Sequence, residues 1–137
     1  MQDHPHPSEI IAAVARFLKN EVATGTTGRL SFNARVAANA LEMMTRQLDT
    51  QAETETAELA SLKALLGRDG DLAALNAELC RRLAAGEADI TTPGVADHLW
   101  KTSLAKLHVD QPTYGGYRAA ITEPLPSQRH PEYQKQA

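Results

Sequence analysis

The sequence predicts an all-α protein: an antiparallel up-and-down bundle of four to five helices with a poorly structured C-terminal tail. Three observations carry that expectation. Alanine and leucine supply 39 of the 137 residues, whereas valine, isoleucine and all the aromatics together supply 15, a balance that favours helices over β-branched strands. Apolar residues recur at three- and four-residue spacing through most of the chain. The breaks between periodic stretches are short, which suits antiparallel neighbours in a bundle. A single bundle domain is expected over residues 1–114, and a Pro- and Gly-containing tail over 115–137.

The first helix is expected over about 8 to 24, with Ser8 as N-cap after Pro7 and Glu9 complementing the positive end of the helix dipole. Its core row is Ile11, Val14, Leu18 and Val22, widened by Ile10 and Phe17. It stops in Thr24-Gly25-Thr26-Thr27-Gly28, which cannot continue a helix cheaply. A second helix starts near Leu30 or Ser31 and carries two apolar rows, Phe32-Val36-Met43 and Ala37-Leu41-Met44-Leu48. Two rows imply contacts on more than one side.

The polar stretch from Asp49 to Glu58 reads as a bend or an exposed first turn, after which Leu59, Leu62 and Leu66 define a third helix ending at Gly67. Asp71 can cap a fourth helix whose core face is Leu72, Leu75, Leu79 and Leu83, closing at Gly86. A last helix is expected from Thr91 or Thr92 with Pro93 at its first position. It carries Val95, Leu99, Trp100, Leu104 and Leu107, and Pro112 ends it. Beyond Tyr114 no period survives, so the tail has little capacity to bury itself.

A formal charge of -3 and a pI near 5.9 leave no basic footprint of the kind that phosphate-backbone binding requires, so nucleic acid is not an expected partner. The start, Met1-Gln2-Asp3-His4-Pro5, has neither a basic nor an apolar leader region, and apolar runs are short, so no export signal and no membrane partner are expected. The single cysteine, Cys80, cannot form an internal disulfide, and the cytoplasm is the expected compartment.

On the second helix Arg35, Asn39, Glu42 and Arg46 are spaced four, three and four, which makes one polar ridge beside Val36 and Met43. A half-buried Asn39 there needs partners. The ridge is either a recognition surface or a set of local contacts in which Arg35 and Arg46 meet Glu42, the commoner case on helix surfaces. Gly25 to Arg29 loosely resembles a phosphate-holding glycine loop, but no strand precedes it, and a turn explains both glycines. The histidines do not converge on a metal site, His98 fits a hydrogen-bonded packing role beside Leu99 and Trp100, Asp69-Gly70-Asp71 lacks further oxygens for calcium, and Cys80 fits a small core position. No metal and no cofactor are expected, and catalytic motifs of the familiar hydrolase, metalloprotease, kinase and dinucleotide-binding kinds are missing, which favours an interaction module over an enzyme.

Three stretches carry a resemblance: Gly28-Arg29-Leu30-Ser31-Phe32-Asn33-Ala34-Arg35-Val36-Ala37-Ala38-Asn39-Ala40-Leu41, Asp71 to Arg82, and Lys106-Leu107-His108-Val109-Asp110-Gln111-Pro112-Thr113-Tyr114. Over roughly residues 5 to 114 the chain resembles a bacterial family of small helical domains of uncharacterised activity, encoded beside an aminoglycoside-phosphotransferase-like kinase and an acyl-CoA dehydrogenase. In such gene sets the kinase phosphorylates the hydroxyl of a hydroxyacyl-CoA, as in breakdown of 4-hydroxy acids from levulinate or γ-lactones, and the dehydrogenase-like protein eliminates phosphate. The resemblance implies a non-catalytic accessory subunit of that kinase, with the dehydrogenase as a further candidate partner. It offers no catalytic residues to carry over, and the motif positions it marks are Arg29, Phe32, Arg35, Asn39 and Tyr114.

With the ridge and the segment after His108 added, the candidate partner-binding set is Arg29, Phe32, Arg35, Asn39, Arg46, Pro112 and Tyr114. Arg35 and Tyr114 are the expected anchors, because Arg and Tyr are enriched at interface hot spots. The competing expectation is a small-molecule or acyl-CoA binding bundle, in which Arg29, Arg35 and Arg46 meet phosphates and Met43-Met44 line an apolar pocket. A homodimer is a further alternative, since an apolar stripe on the second helix is satisfied by a second copy as well as by a kinase.

Overall fold

The computed structural model describes residues 4–123 and 125–129. Position 124 and positions 130–137 of the expected tail, with His130, lie outside the described residues, as does Asp3 beside the early histidines. The described residues are all-α: α1 (Pro7–Phe17), a π-helical segment (Leu18–Val22), α2 (Ala23–Gly25), α3 (Gly28–Leu66), α4 (Leu72–Ala84), α5 (Val95–Asp110), α6 (Gly115–Ala120) and α7 (Pro126–Arg129). The chain divides between Ala52 and Glu53 into two compact units.

In the first unit, α1 is capped by His6 rather than Ser8. Pro7 suits the first helical position, where its missing N–H is no loss, and Glu9 then falls where its carboxylate reaches back to accept from the His6 backbone N–H at 2.6 Å. Ser8 is left inside the first turn, buried, with its hydroxyl 2.8 Å from His6 Nδ1. The expected core row is displaced in part. Ala15 and Ala23 are buried and Ile11, Leu18 and Val22 are half-buried, whereas Val14 is 46% exposed, Ile10 46% and Phe17 52%.

Two features account for the displacement. The π-helical turn at Leu18–Val22 inserts one residue per turn more than the α period, so residues before it are rotated relative to those after it. The buried positions of this part of α3 are Ser31, Ala34 and Ala38, small side chains that admit close approach but leave little room for a large apolar row. The Ser31 hydroxyl donates to the Ala23 carbonyl at 2.7 Å, and Lys19 Nζ meets Glu42 Oε1 at 2.7 Å.

The expected second and third helices are one. α3 runs unbroken for 39 residues, about 58 Å at the standard rise. The polar stretch from Asp49 to Glu58 contains neither Gly nor Pro, and its threonines cost only tenths of a kcal/mol each against alanine, roughly 0.7 at most. Nearby threonines also bond back along the helix: Thr45 Oγ1 donates to the Leu41 carbonyl at 3.0 Å and Thr50 Oγ1 to the Arg46 carbonyl at 2.8 Å. Polarity therefore marks an exposed stretch here, not a break. Gly67, at φ +63°, ends the helix where the sequence places its end.

The second unit holds the large apolar core. Leu62 and Leu66 of α3 pack with Leu75 and Leu79 of α4, bordered by Leu59, Leu65, Leu72 and Leu83. Asp71 caps α4 as expected, accepting from the Ala74 N–H at 2.8 Å. Near the end of α4, Arg81 bridges Glu78 and Glu87, and Arg82 joins Glu78. The guanidinium hydrogen bonds of Arg81 and then Arg82 hold the Glu78 carboxyl down to about 2.

α5 begins at Val95, later than the sequence suggests. Asp89 Oδ1 accepts from the Thr91 N–H and hydroxyl and from the Thr92 N–H, and Thr92 Oγ1 accepts from the Asp89 N–H, so both threonines serve a turn instead of a helix cap. Gly94 then adopts φ +85°, and a Cβ there would lie 3.2 Å from Leu65 Cδ1, so a residue with no side chain lets the start of α5 close on α3. Val95 and His98 face inward, while Leu99, expected in the core row, is 37% exposed. Past Tyr114 the chain forms α6 and α7, both packed on α5, and Tyr117 is buried.

Candidate partner-binding surface

Arg29, Phe32, Arg35, Asn39 and Arg46 follow one another along α3 at steps of three, three, four and seven, which keeps them within one side of the helix. That side is turned away from Ser31, Ala34 and Ala38, the buried positions of this part of α3. Phe32 is 65% exposed and its neighbour Val36, one turn on, is 52% exposed. The ridge is thus an apolar step with arginines around it, in a chain whose net charge is negative.

Arg35 is held in place from below. Its Nη2 donates to Ser31 Oγ at 3.1 Å, and that hydroxyl in turn donates to the Ala23 carbonyl. A long side chain fixed in advance loses less conformational freedom on binding. One expectation is corrected here. Asn39 is exposed, not half-buried between helices. Glu42 also reaches across to Lys19 of the π segment, a cation from another element.

Pro112 and Tyr114 belong to the second unit, at the connection between α5 and α6. Gln111 N–H donates to the Leu107 carbonyl at 2.8 Å and Tyr114 N–H to the Gln111 carbonyl at 3.0 Å, so the turn is hydrogen-bonded through Pro112. Tyr114 is the N-cap of α6 and is 55% exposed. Below it Tyr117 is buried with its hydroxyl 3.0 Å from His108 Nδ1, and the two rings stand 6.2 Å apart. This clasp fixes the turn that presents Tyr114. Sequence reasoning missed it because Gly115-Gly116 reads as the start of a tail; the signal was an aromatic three residues past Tyr114, on the same helical face.

The remaining candidates resolve as packing or turns. His98 is 3% exposed with Nδ1 2.9 Å from Ser61 Oγ, the packing role expected of it. Burial lowers its pKa against the weaker opposing pull of the Glu58 carboxylate, and Lys106 adds to the lowering. Serine and histidine at that distance suit nucleophile activation, but a ring this buried gives no substrate access. Cys80 is exposed on α4, not a core residue. Asp69 pairs with Lys63 at 2.9 Å. Among the described residues there is no group of three or more His, Cys, Asp or Glu placed to hold a metal ion, and no helix long and apolar enough to cross a membrane.

No curated protein and no solved structure matches the chain significantly. A family model does, over residues 24–114, described as a domain of unknown function, DUF6285. The match begins just before α3 and ends on Tyr114, taking in the ridge, the leucine core and the clasped turn. It spans more than half of the chain, and the protein belongs to the DUF6285 family.

Proposed function

We propose that this chain is a non-catalytic accessory subunit that binds, and stabilises or activates, an aminoglycoside-phosphotransferase-like kinase acting on 4-hydroxyacyl-CoA in the catabolism of hydroxy acids of the levulinate and lactone type. The observation that supports it best is the ridge of α3. Phe32, 65% exposed, stands beside an Arg35 already anchored on Ser31, an apolar anchor and a pre-positioned cation on one rigid helix. Such a surface fits a protein partner with an apolar pocket rimmed by carboxylates. The resemblance of the ridge and of the Lys106 to Tyr114 segment to kinase-associated domains supplies the identity of that partner.

The test is co-expression with the kinase encoded nearby, followed by size-exclusion chromatography and ATP-dependent phosphorylation of a 4-hydroxyacyl-CoA with and without this chain. Co-elution with a gain in kinase activity is the expected result. Arg35→Ala should weaken association while the far-UV helical signal is retained. Separate elution with no change in rate overturns the proposal.

A further inference from the structure

α3 carries a second apolar row that the ridge does not use. Leu30, Ala34, Ala37, Leu41, Met44 and Leu48 follow steps of four, three, four, three and four, the repeat of a helix that packs on other helices. Ala34 is buried, but Leu30 is 57% and Met44 46% exposed, and Leu41 and Leu48 are only half-buried. On α1, Ile10, Val14 and Phe17 repeat the same steps of four and three and are likewise about half exposed. Lys19 lies on the opposite side of its helix from these three residues, and it ties that side to Glu42 of α3. The apolar row of α1 is thereby turned to the edge of the hairpin where the Leu30-to-Leu48 row runs.

We infer that this edge of the α1–α3 hairpin is a self-association surface, where a second copy of the chain lays the same edge against it to complete a four-helix bundle. The repeat on both helices specifies a helical occupant. The charge pattern favours a second copy. Along the Leu30-to-Leu48 row the intervening same-side positions are Asn33, Ala40, Gln47 and Gln51, so that copies of α3 meet there without like charges. Glu21 of the π segment and Arg29 at the start of α3 both lie near the Thr26-Thr27 turn, where a twofold axis along the bundle pairs one copy's Glu21 with the other's Arg29. A half-exposed side chain of this size leaves about 100 Å² in water. Ile10, Val14, Phe17, Leu30 and Met44 therefore bring a symmetric pair to roughly the 1,000 Å² that a specific interface needs. Apart from Arg29, which borders both, this surface is separate from the Phe32 ridge, so it leaves Phe32 and Arg35 open to another protein.

The test is the mass of the full chain alone in solution, by light scattering during size-exclusion chromatography across a concentration series, with no kinase present. The expected mass is twice 14.8 kDa. Phe17→Asp and Met44→Asp should each return it to the single-chain value with the helical signal kept, since both positions are half exposed, while Phe32→Asp on the ridge should leave the dimer intact. If either variant loses helix, Val14→Lys tests the same face. A single-chain mass at every concentration overturns the inference, as does a dimer broken by Phe32→Asp and indifferent to Phe17 and Met44. A monomer that loses co-elution with the kinase on Phe17→Asp also overturns it and assigns the face to that partner. Failure of the wild-type chain to bind the kinase bears on the accessory-subunit reading alone.

Discussion

Replacing Phe32 by alanine separates binding from folding. The ring is 65% exposed in the free chain, so its removal takes little from the core. A phenylalanine presents on the order of 200 Å². The water-facing share of that ring is what a partner can cover, and alanine returns about a quarter of it. The burial lost on association is then about 100 Å², or about 2 to 3 kcal/mol at roughly 25 cal/mol per Å². That is about thirty- to 150-fold in Kd. Calorimetric titration of the kinase with the wild-type and Phe32→Ala chains measures it, with thermal unfolding of each chain alongside. The expected pattern is a much weaker complex and an unchanged unfolding midpoint. An affinity within about threefold of wild type, well under 1 kcal/mol, would refute the placement of the anchor on this ridge.

The second unit tests the core and its one buried titrating ring. Leu75 is fully buried among Leu62, Leu66 and Leu79, so Leu75→Ala should cost about 3 kcal/mol in urea unfolding. Leu99→Ala, at a partly exposed position, should cost well under half of that, and equal losses would show that the leucine cluster is not the core. His98 has a pKa lowered by burial, so the folded state favours the neutral ring and its stabilising contribution is complete above the unfolded value near 6.5. As pH falls below that value the unfolded chain takes up a proton that the folded chain refuses. Stability should therefore decline through the window between the unfolded and the lower folded pKa, and a His98→Gln chain should lack that component. A urea midpoint with the same pH dependence in both chains would count against it.

Those elements were legible in the sequence whose signals are local. Asp71 before a four-leucine row, and a glycine after Leu66, each specify a helix end through hydrogen bonding within a few residues. The ridge of α3 was legible for a similar reason, since steps of three and four on an uninterrupted helix fix a side regardless of what packs on it. Where expectation and structure part, a longer-range competitor decided. Glu42 meets Lys19, twenty-three residues away, a contact no local spacing shows, and Val14 lost its place in the core because a π-helical turn changed the phase between two halves of one apolar row. No periodicity read at a single pitch detects such a shift. The polar run from Asp49 to Glu58 misled in the opposite direction, since its only apolar residues are Ala52 and Ala57 but it also lacks any residue that stops a helix.

The division of apolar residues between the two units bears on the function proposed. From Leu59 to Leu83 the leucines are spent on one another, which leaves that core little to offer a partner. From Pro7 to Leu48 the buried positions are alanine and serine, while Ile10, Val14, Phe17, Leu30, Phe32, Val36 and Met44 remain about half in water or more. Small residues allow close helix approach but contribute little transfer free energy, so this hairpin derives less of its stability from its own packing than its composition permits. The unused share lies on two distinct sides of α3, one bordered by arginines and one nearly free of charge. Ionic and apolar surfaces so separated select different occupants. A subunit that both recognises a foreign protein and associates with its own kind needs that separation, whereas a bundle folding only for itself would have turned those side chains inward.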